Sequence, residues 1–400
     1  MKRTVVFLIC FIVLAVSVII PGSAQSSELK FKDDGKFRIM VFSDTQDDQS
    51  PAPDMLNFVR KSIEETSPDL IIFTGDLVED SRLGDKLTDN DPLKEGVVVK
   101  KNGEIDHDAT KENVIRAVEP IFEILEDSGI PYALVQGNND YKVAMTNEEW
   151  LEFYSAYPNC LIRDDSPDED GRIDYNLEIK GKNGNIAFNI WMLDTGKYGI
   201  NDDQIDWYRA ASSQMTEKNG GVPVPAILFQ HIYTSDIGNL FEKCSMFDDG
   251  AGCVNGKYYR LNREIAHGYN FFTYEPGTVS EEFKAWKEQG DIIGAFFGHQ
   301  HVEGFSGVYD GIELGFTYGC EFAKPGPYGI RVIDLDENDI TNYGNELYRY
   351  KGSVKMGNDR FEKQVDEKEY PVYNNIIEKA FAGSRNFILS IVSFVISIFA

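Results

Sequence analysis

Three of the five histidines in this chain directly follow apolar, β-rich segments, as do several carboxylates. His231 follows PAILFQ, and His299 and His301 lie in GHQH after IIGAFF. Asp44 follows FRIMVFS, and Asp76 follows DLIIFTG. A single histidine at such a place is usually structural, but three that recur with carboxylates are hard to explain by packing. Imidazole and carboxylate groups are common metal ligands, so the pattern indicates a metal site.

The third apolar segment, PYALVQ, leads into GNND and adds an amide side chain to this set. Asn138 in GNND and Gln46 in SDTQ offer amide oxygens, which suit harder cations than imidazole nitrogen does. Asp76 is placed to bridge two cations. Two ions about 3.5–4 Å apart can hold a phosphoryl group, lower the pKa of a bridging water and stabilise a leaving oxygen. The mixture of donors therefore indicates a two-metal centre.

Eight apolar segments predict the strands that must position these side chains. Most are nearly continuous in apolar residues, as expected for strands covered on both faces. Sites in open α/β sheets form at the carboxyl ends of the strands, where these polar residues lie. The predicted strands are Phe37–Asp44, Asp69–Asp76, Pro131–Asn138, Asn185–Gly196, Pro225–His231, Ile292–His299, Ile312–Gly319 and Gly329–Asp336.

Amphipathic stretches between these strands predict helices. One of these stretches ends before Ser67, and a second ends before Gly129. Two further candidate helices span 202–215 and 279–289. Pro120 interrupts the second stretch, which predicts a kink or two short helices. The alternation of strands and helices predicts an α/β sheet sandwich.

The order of the motifs resembles that of the calcineurin-like metallophosphoesterases, relatives of the purple acid phosphatases. D-x-(H), G-D, G-N-H-(D/E), a lone His and G-H-x-H fall in order between Phe37 and Asp336. The resemblance implies a four-layer α/β/β/α sandwich with the metal centre at the carboxyl ends of the strands. It also implies hydrolysis of phosphate mono- or diesters by a metal-bridging hydroxide. The implied substrate is a phosphorylated small molecule or phosphoprotein, and the implied cofactors are two ions of Mn, Fe, Mg or Zn.

Six residues take up ligand roles if the family pattern is carried over position by position. Asp76 would bridge the metals, Asp44 and His301 would hold the first, and Asn138, His231 and His299 would hold the second.

Gln46 and Asn139 stand where the family has histidine. Gln46 is a weaker neutral donor that either ligates or leaves its place to water, so the first site favours Mn, Mg or Fe over Zn. Glu79 either adds a carboxylate or lies at the surface. Of the two replacements, Asn139 matters more for catalysis, because an amide cannot act as a general acid. Loss of general-acid catalysis typically costs ~10²–10⁴ in rate, unless His267 or a metal-bound water takes over this role.

These departures leave two main functions open. The first is an exported metal-dependent phosphoesterase, weakened by Asn139. The second is a catalytically impaired surface protein that binds metal and a phosphorylated ligand. A structural protein with a vestigial site is a third alternative. Several aromatic residues either stack on a substrate or pack in the fold: Tyr198, Trp207, Tyr233, Tyr258 and Tyr259.

The composition is that of a globular protein with an acidic surface. Hydrophobic residues make up 42% of the chain, enough for a sizeable core. The net charge of −27 argues against binding to nucleic acid, which needs clustered Lys and Arg.

Both ends of the chain carry apolar segments with targeting features. A basic start, an apolar run and small residues predict a secretory signal in 1–24, with an uncleaved anchor as the alternative. We then expect a metallophosphoesterase domain in 30–350, a charged stalk in 351–385 and a hydrophobic tail in 386–400. The tail predicts membrane attachment or a packed amphipathic helix. The expected location is secreted or at the cell surface. The polar segment 82–108 is expected to be a long loop.

Four cysteines remain after the predicted signal: Cys160, Cys244, Cys253 and Cys320. Cysteines in an exported protein often pair. Cys244 and Cys253 bracket SMFDDGAG, which one disulfide would close, and they are the favoured pair. Free buried thiols are the alternative, because connectivity cannot be derived from sequence.

Overall fold

A computed structural model describes residues 28–79, 96–166, 171–322, 326–353 and 356–364 of the chain. It shows a mixed α/β structure in which sheets are flanked by helices, as predicted. In these ranges the strands are β1 (Lys36–Phe42), β2 (Leu70–Phe73), β3 (Tyr132–Leu134), β4 (Tyr175–Lys180), β5 (Ile186–Leu193), β6 (Ala226–Gln230), β7 (Phe241–Lys243), β8 (Gly252–Val254), β9 (Lys257–Leu261), β10 (Ala266–Tyr269), β11 (Ile292–Phe297), β12 (Gly304–Tyr309), β13 (Ile312–Phe316), β14 (Tyr328–Asp336), β15 (Gly344–Lys351) and β16 (Arg360–Lys363). The helices are α1 (Pro53–Thr66), α2 (His107–Ser128), α3 (Asn147–Ser155), α4 (Asp202–Lys218) and α5 (Glu281–Gln289).

Two large sheets contain every strand that the apolar segments predicted. The first has the order β16-β15-β14-β1-β2-β3, and the second has the order β10-β12-β13-β11-β6-β5-β4. In the first sheet β1, β2 and β3 are parallel neighbours. In the second sheet β5, β6, β11 and β13 are parallel neighbours. The carboxyl ends of parallel strands share one edge of a sheet, so each sheet gathers its strand-end residues at one place.

Strand β5 shows why the apolar segments are continuous rather than alternating. Ile190 and Met192 belong to a core shared with the first sheet and helices α1 and α2. Trp191 and Leu193, on the opposite face, belong to a second core with helices α4 and α5. Successive side chains of a strand point to opposite faces, so a strand covered on both faces is apolar throughout.

Helix α2 differs from its prediction at Pro120. A single helix of 22 residues runs through the proline, so the alternative of two short helices is wrong. A proline removes one backbone hydrogen bond, but the buried face from Val114 to Leu125 holds both halves against the core. The helix ends where predicted, at Gly129 with a φ of 67° in the left-handed region that glycine tolerates.

The globular part extends further than the predicted boundary near 350. Strand β16 pairs with β15, and its Phe361 packs against Tyr350 and Phe58 with ring centroids 5.3 and 5.5 Å apart. The charges around Phe361 suggested a stalk, but this aromatic contact and the strand pairing attach the segment to the sheet. Residues 1–27, 80–95 and 365–400 lie outside the described ranges, and with them the predicted signal, most of the predicted loop, the rest of the stalk and the tail. No helix in the described ranges has both the length and the apolar character needed to span a membrane.

The favoured disulfide between Cys244 and Cys253 is wrong. A small three-stranded sheet has the order β7-β9-β8. The two cysteines therefore lie on opposite sides of Tyr258, which belongs to β9. The backbone N–H of Cys244 donates to the carbonyl of Tyr258, and Cys253 is paired with Tyr258 on the other side. Two strand spacings of about 4.8 Å separate the cysteines, which is more than a disulfide can bridge. All four cysteines in the described ranges are free thiols.

Candidate metal centre

The carboxyl ends of strands from both large sheets meet at one place. Asp44 and Asp76 follow β1 and β2 of the first sheet, whereas His231 and His299 follow β6 and β11 of the second. Two groups of ligand atoms form there, each with all atoms within 4.8 Å of one another. Asp44, Asp76 and His301 form the first group, and Asp76, His231 and His299 form the second. Asp76 is therefore common to both groups.

His231 is fixed with one ring nitrogen directed at Asp76. Its Nδ1 lies 2.8 Å from the carbonyl oxygen of Thr74, which can only accept, so Nδ1 carries a proton. The other nitrogen, Nε2, lies 3.3 Å from Asp76 Oδ2 and 3.0 Å from Asn138 Oδ1. Burial lowers the pKa of His231, but Asp76 and Asp44 outweigh burial and raise it to about 9. The surrounding carboxylates thus favour a positive charge at Nε2.

His301 lies between two buried carboxylates. Its Nε2 is 3.3 Å from Asp44 Oδ1, and its Nδ1 is 2.8 Å from Glu321 Oε2. Burial lowers the pKa of His301, but Asp44 and Glu321 together raise it to about 10. Burial raises the pKa of Asp44, yet His301 and His231 lower it to about 2. Glu321 was not predicted from the sequence, although its place just beyond β13 was a usable signal.

Four site residues have backbone conformations that are rare outside glycine. The φ angles are 48° at Asp44, 27° at Gln46, 52° at Asp76 and 69° at His299. A positive φ is unfavourable for residues with a Cβ and persists only where the surrounding structure enforces it. Such strain is typical of functional sites. It indicates that these loops are held in place for the side chains they present.

Asp140 ties the loop after β3 to the loop after β2. Its Oδ2 accepts from the N–H of Gly137 at 2.8 Å, and its Oδ1 accepts from Leu77 at 3.0 Å and Val78 at 3.2 Å. The approach is so close that a Cβ on Gly137 would lie 2.1 Å from Asp76 Oδ1. Burial raises the pKa of Asp140 to about 7, and Asp76 adds to the rise. Asp140 was not predicted to have this role.

Gln46 and Asn139, which replace family histidines, both turn their amide nitrogens toward Asp76. Gln46 Nε2 donates to Asp76 Oδ2 at 2.7 Å, and Asn139 Nδ2 donates to the same oxygen at 3.0 Å. The backbone N–H of Asn139 donates to the other oxygen, Oδ1, at 2.8 Å. The oxygen of the Asn139 side chain accepts from Lys142 Nζ at 2.8 Å and from Asn138 Nδ2 at 3.0 Å. All seven predicted metal-site residues therefore lie in one connected group.

Comparison with known proteins identifies the family. Residues 37–303 match the model of the family described as calcineurin-like phosphoesterase. The chain belongs to this family. "Probable inactive purple acid phosphatase 14" of Arabidopsis thaliana is 26% identical over 364 residues, with 79% of each chain covered. "Probable inactive purple acid phosphatase 28" of the same plant is 25% identical, with 74% of this chain and 72% of the relative covered. A dimetal phosphatase from Danio rerio has a TM-score of 0.45 and 11% identity, with 82% of this chain and 99% of that chain covered.

The donors of this calcineurin-like phosphoesterase fit two cations. Imidazole nitrogens, carboxylate oxygens and an amide oxygen converge from two sheets, and a shared carboxylate can bridge two ions. The first group has more oxygen donors than the second, which has two imidazoles. Glu79 is only 4% exposed, so the alternative that it lies at the surface is wrong.

The remaining candidate residues lie in different surroundings. The ring of Tyr233 lies 6.3 Å from that of His299, whereas Tyr198 is 90% exposed. Trp207 packs against the buried Trp191. The two other histidines of the chain lie in regular structure: His107 begins α2 and His267 lies in β10. His267 lines a separate cavity of about 400 Å³ whose walls include none of the proposed metal ligands.

Proposed function

We propose that this protein is a metal-dependent phosphoesterase that hydrolyses phosphate mono- or diesters. The observation that carries the proposal is the position of Asp76, which is buried and shared by two groups of metal-ligand atoms. Asp44 and His301 would complete the first cation site. His231, His299 and Asn138 would complete the second. Bound cations would supply Lewis-acid stabilisation of the phosphoryl oxygens and lower the pKa of a water molecule.

The residues of the chain orient this site rather than attack the substrate. The Thr74 carbonyl holds His231 in one tautomer, and Glu321 holds His301. Asn139 offers an amide rather than a general acid, so the leaving group must depart with little proton transfer from the protein. Esters with good leaving groups, such as aryl phosphates, are therefore the substrates that such a site would hydrolyse fastest.

A second function is a protein that binds metal and a phosphorylated ligand with impaired catalysis. The specific observation is that Gln46 and Asn139 both direct amide N–H groups at Asp76 Oδ2, where a bridging carboxylate would face cations. The names of the two Arabidopsis relatives also contain the word "inactive". This function requires the same ligands but predicts no turnover.

We also propose that the protein is exported, either secreted or held at the cell surface. The support is the basic start, apolar run and small residues of 1–24 and the apolar tail of 386–400. Sequencing the amino terminus of the mature protein tests this part separately. A mature chain that still begins at Met1 would contradict cleavage after Ala24.

One experiment on the purified protein separates the two functions. Bound metal per chain is measured, and the same sample is assayed with Mn²⁺ on an aryl phosphate monoester and diester. About two ions per chain with chelator-sensitive turnover would support the enzyme. Metal binding without turnover would support the binding protein.

Two variants control this experiment. Asp76→Asn should reduce bound metal, because it removes the charge common to both ligand groups. Asp334→Asn is the matched control, since Asp334 forms an ion pair with Arg38 in the first sheet. Unchanged metal content in Asp76→Asn would rule out the bridging role.

A further inference from the structure

Lys142 lies beside the candidate centre, next to Asn139. It ends a short 3₁₀ helix, Asp140–Lys142, that directly follows Asn139. Its Nζ donates to Asn139 Oδ1 at 2.8 Å. The other end of the same amide, Nδ2, donates to Asp76 Oδ2 at 3.0 Å. The ammonium group is therefore anchored two hydrogen bonds away from the carboxylate that both ligand groups share.

The charges around the centre make this ammonium distinctive. Six segments surround the site residues at the strand ends: 43–50, 74–79, 135–142, 231–236, 298–303 and 317–322. Lys142 is the only Lys or Arg in these six segments. The same segments contain several buried carboxylates: Asp44, Asp47, Asp76, Glu79, Asp140, Asp236, Glu303 and Glu321. A phosphate ester that enters the site has to overcome repulsion from those of these groups that are ionised.

A lysine ammonium is well suited to reduce that repulsion. It has three N–H donors and acts as a strongly hydrated point charge on a flexible stem, a common way of binding phosphate. Here the hydrogen bond to Asn139 restrains that stem. Lys142 is half-buried, so its charge is only partly screened by solvent.

We propose that Lys142 binds a nonbridging oxygen of the substrate's phosphoryl group and gives the site a preference for phosphate monoesters over diesters. This rests on the proposed phosphoesterase function. A monoester group carries a charge of about −1.5 to −2 at pH 7, whereas a diester carries a single negative charge. A fixed cation therefore stabilises the bound monoester more than the diester. In this role Lys142 is a catalytic residue that acts together with Asn139.

A purely structural role is the competing explanation, in which Lys142 only holds the Asn139 side chain. Asn139 in turn contacts both Asp76 and Asn138, so loss of that support would disturb the metal ligands. Metal content distinguishes the two roles, because a residue that binds substrate does not change it.

The test compares Lys142→Met and Lys142→Arg in the full chain. Lys182→Met is the matched control, because Lys182 is exposed and lies near Gly35 at the amino end of β1, away from the strand ends that form the site. Three quantities are measured: bound metal, the Kd of the metal-loaded protein for inorganic phosphate, and kcat/KM for 4-nitrophenyl phosphate and bis(4-nitrophenyl) phosphate. The two esters have the same leaving group.

We expect Lys142→Met to raise the Kd for phosphate and lower kcat/KM for the monoester by about 10- to 100-fold, the effect of losing a hydrogen bond from a charged group. The change for the diester should be several-fold smaller, Lys142→Arg should keep most of the monoester activity, and metal content should not change. Equal losses for both esters, or loss of metal, would overturn the proposal.

The phosphate measurement separates this proposal from the proposed function. If the wild type binds phosphate without turnover, catalysis is refuted, and the Kd of Lys142→Met still decides whether Lys142 binds the phosphoryl group. If the metal-loaded wild type does not bind phosphate, the proposal for Lys142 is refuted as well.

Discussion

Gln46 and Asn139, which lie in different loops, donate hydrogen bonds to the same oxygen of Asp76, at 2.7 and 3.0 Å. These are also the two positions at which the chain departs from the histidine pattern of its family. The departures therefore meet at one atom rather than being scattered over the site. Each amide N–H donates a hydrogen bond without carrying a charge, and Asp76 Oδ2 is the acceptor in both contacts.

Restoring histidine at position 139 should increase turnover of esters with poor leaving groups. A histidine there can act as a general acid, which typically contributes ~10²–10⁴ in rate. We expect Asn139→His to raise kcat for an alkyl phosphate by about 10²-fold and to change kcat for 4-nitrophenyl phosphate much less. Steady-state kinetics on both esters provide the measurement.

Asn147→His is the control for this substitution, because Asn147 contacts Tyr141 and the carbonyl of Gly171 rather than Asp76. The double variant Gln46→His/Asn139→His tests whether the two positions act together. A missing general acid would no longer explain weak activity if Asn139→His left the alkyl phosphate rate unchanged.

Glu321 should act as a positioning residue for His301. Its Oε2 lies 2.8 Å from His301 Nδ1 and directs the opposite nitrogen, Nε2, toward Asp44. Loss of such a partner typically costs about 10- to 100-fold in metal affinity. We expect Glu321→Gln to weaken binding of one ion per chain by this factor, measured by titration calorimetry with Mn²⁺.

Glu178→Gln is the matched control for Glu321, because Glu178 lies in β4 and pairs with Lys180. Unchanged Mn²⁺ affinity in Glu321→Gln would show that His301 does not need this contact.

The buried Glu282 in α5 should make the protein less stable as the pH rises. Burial raises the pKa of Glu282 to about 8, well above the value of about 4.3 in the unfolded chain. Between these two values the folded state binds more protons, so the free energy of unfolding falls as the pH rises and levels off above about 8. Glu282→Gln should remove this decline.

Urea unfolding at pH 5.5, 7.0 and 8.5 measures the effect of Glu282→Gln. The neighbouring Glu281→Gln serves as the control, since Glu281 is exposed and pairs with Lys284. The difference in stability between Glu282→Gln and the wild type should grow with pH. Parallel profiles for the two proteins would contradict a raised pKa.

Cys244 and Cys253 should both react as free thiols. Strand β9 separates them in the small sheet, so a disulfide would require the sheet to come apart. Alkylation of the unfolded protein without reductant, followed by peptide mass spectrometry, should label both residues. A reduced sample is the control, and a disulfide-linked peptide containing both cysteines would disprove the strand order.

The sequence alone predicted the strands and the residues that follow them, because these features are local. Continuous apolar segments indicated buried strands, and Asp44, Asp76 and His231 were recognised by their place after those strands. The strands are confirmed and the predicted residues meet, although their roles as metal ligands stay predictions.

Only the tertiary structure decided which distant residues are in contact. Glu321 reaches His301, and Phe361 reaches Phe58, through the docking of loops and the pairing of edge strands. The separation of Cys244 and Cys253 likewise depends on β9 lying between them. Strand order and side-chain direction arise from packing of the whole chain, so no local pattern contains them. The sequence therefore indicated which type of site the chain has, whereas the fold showed which contacts hold the site residues in place.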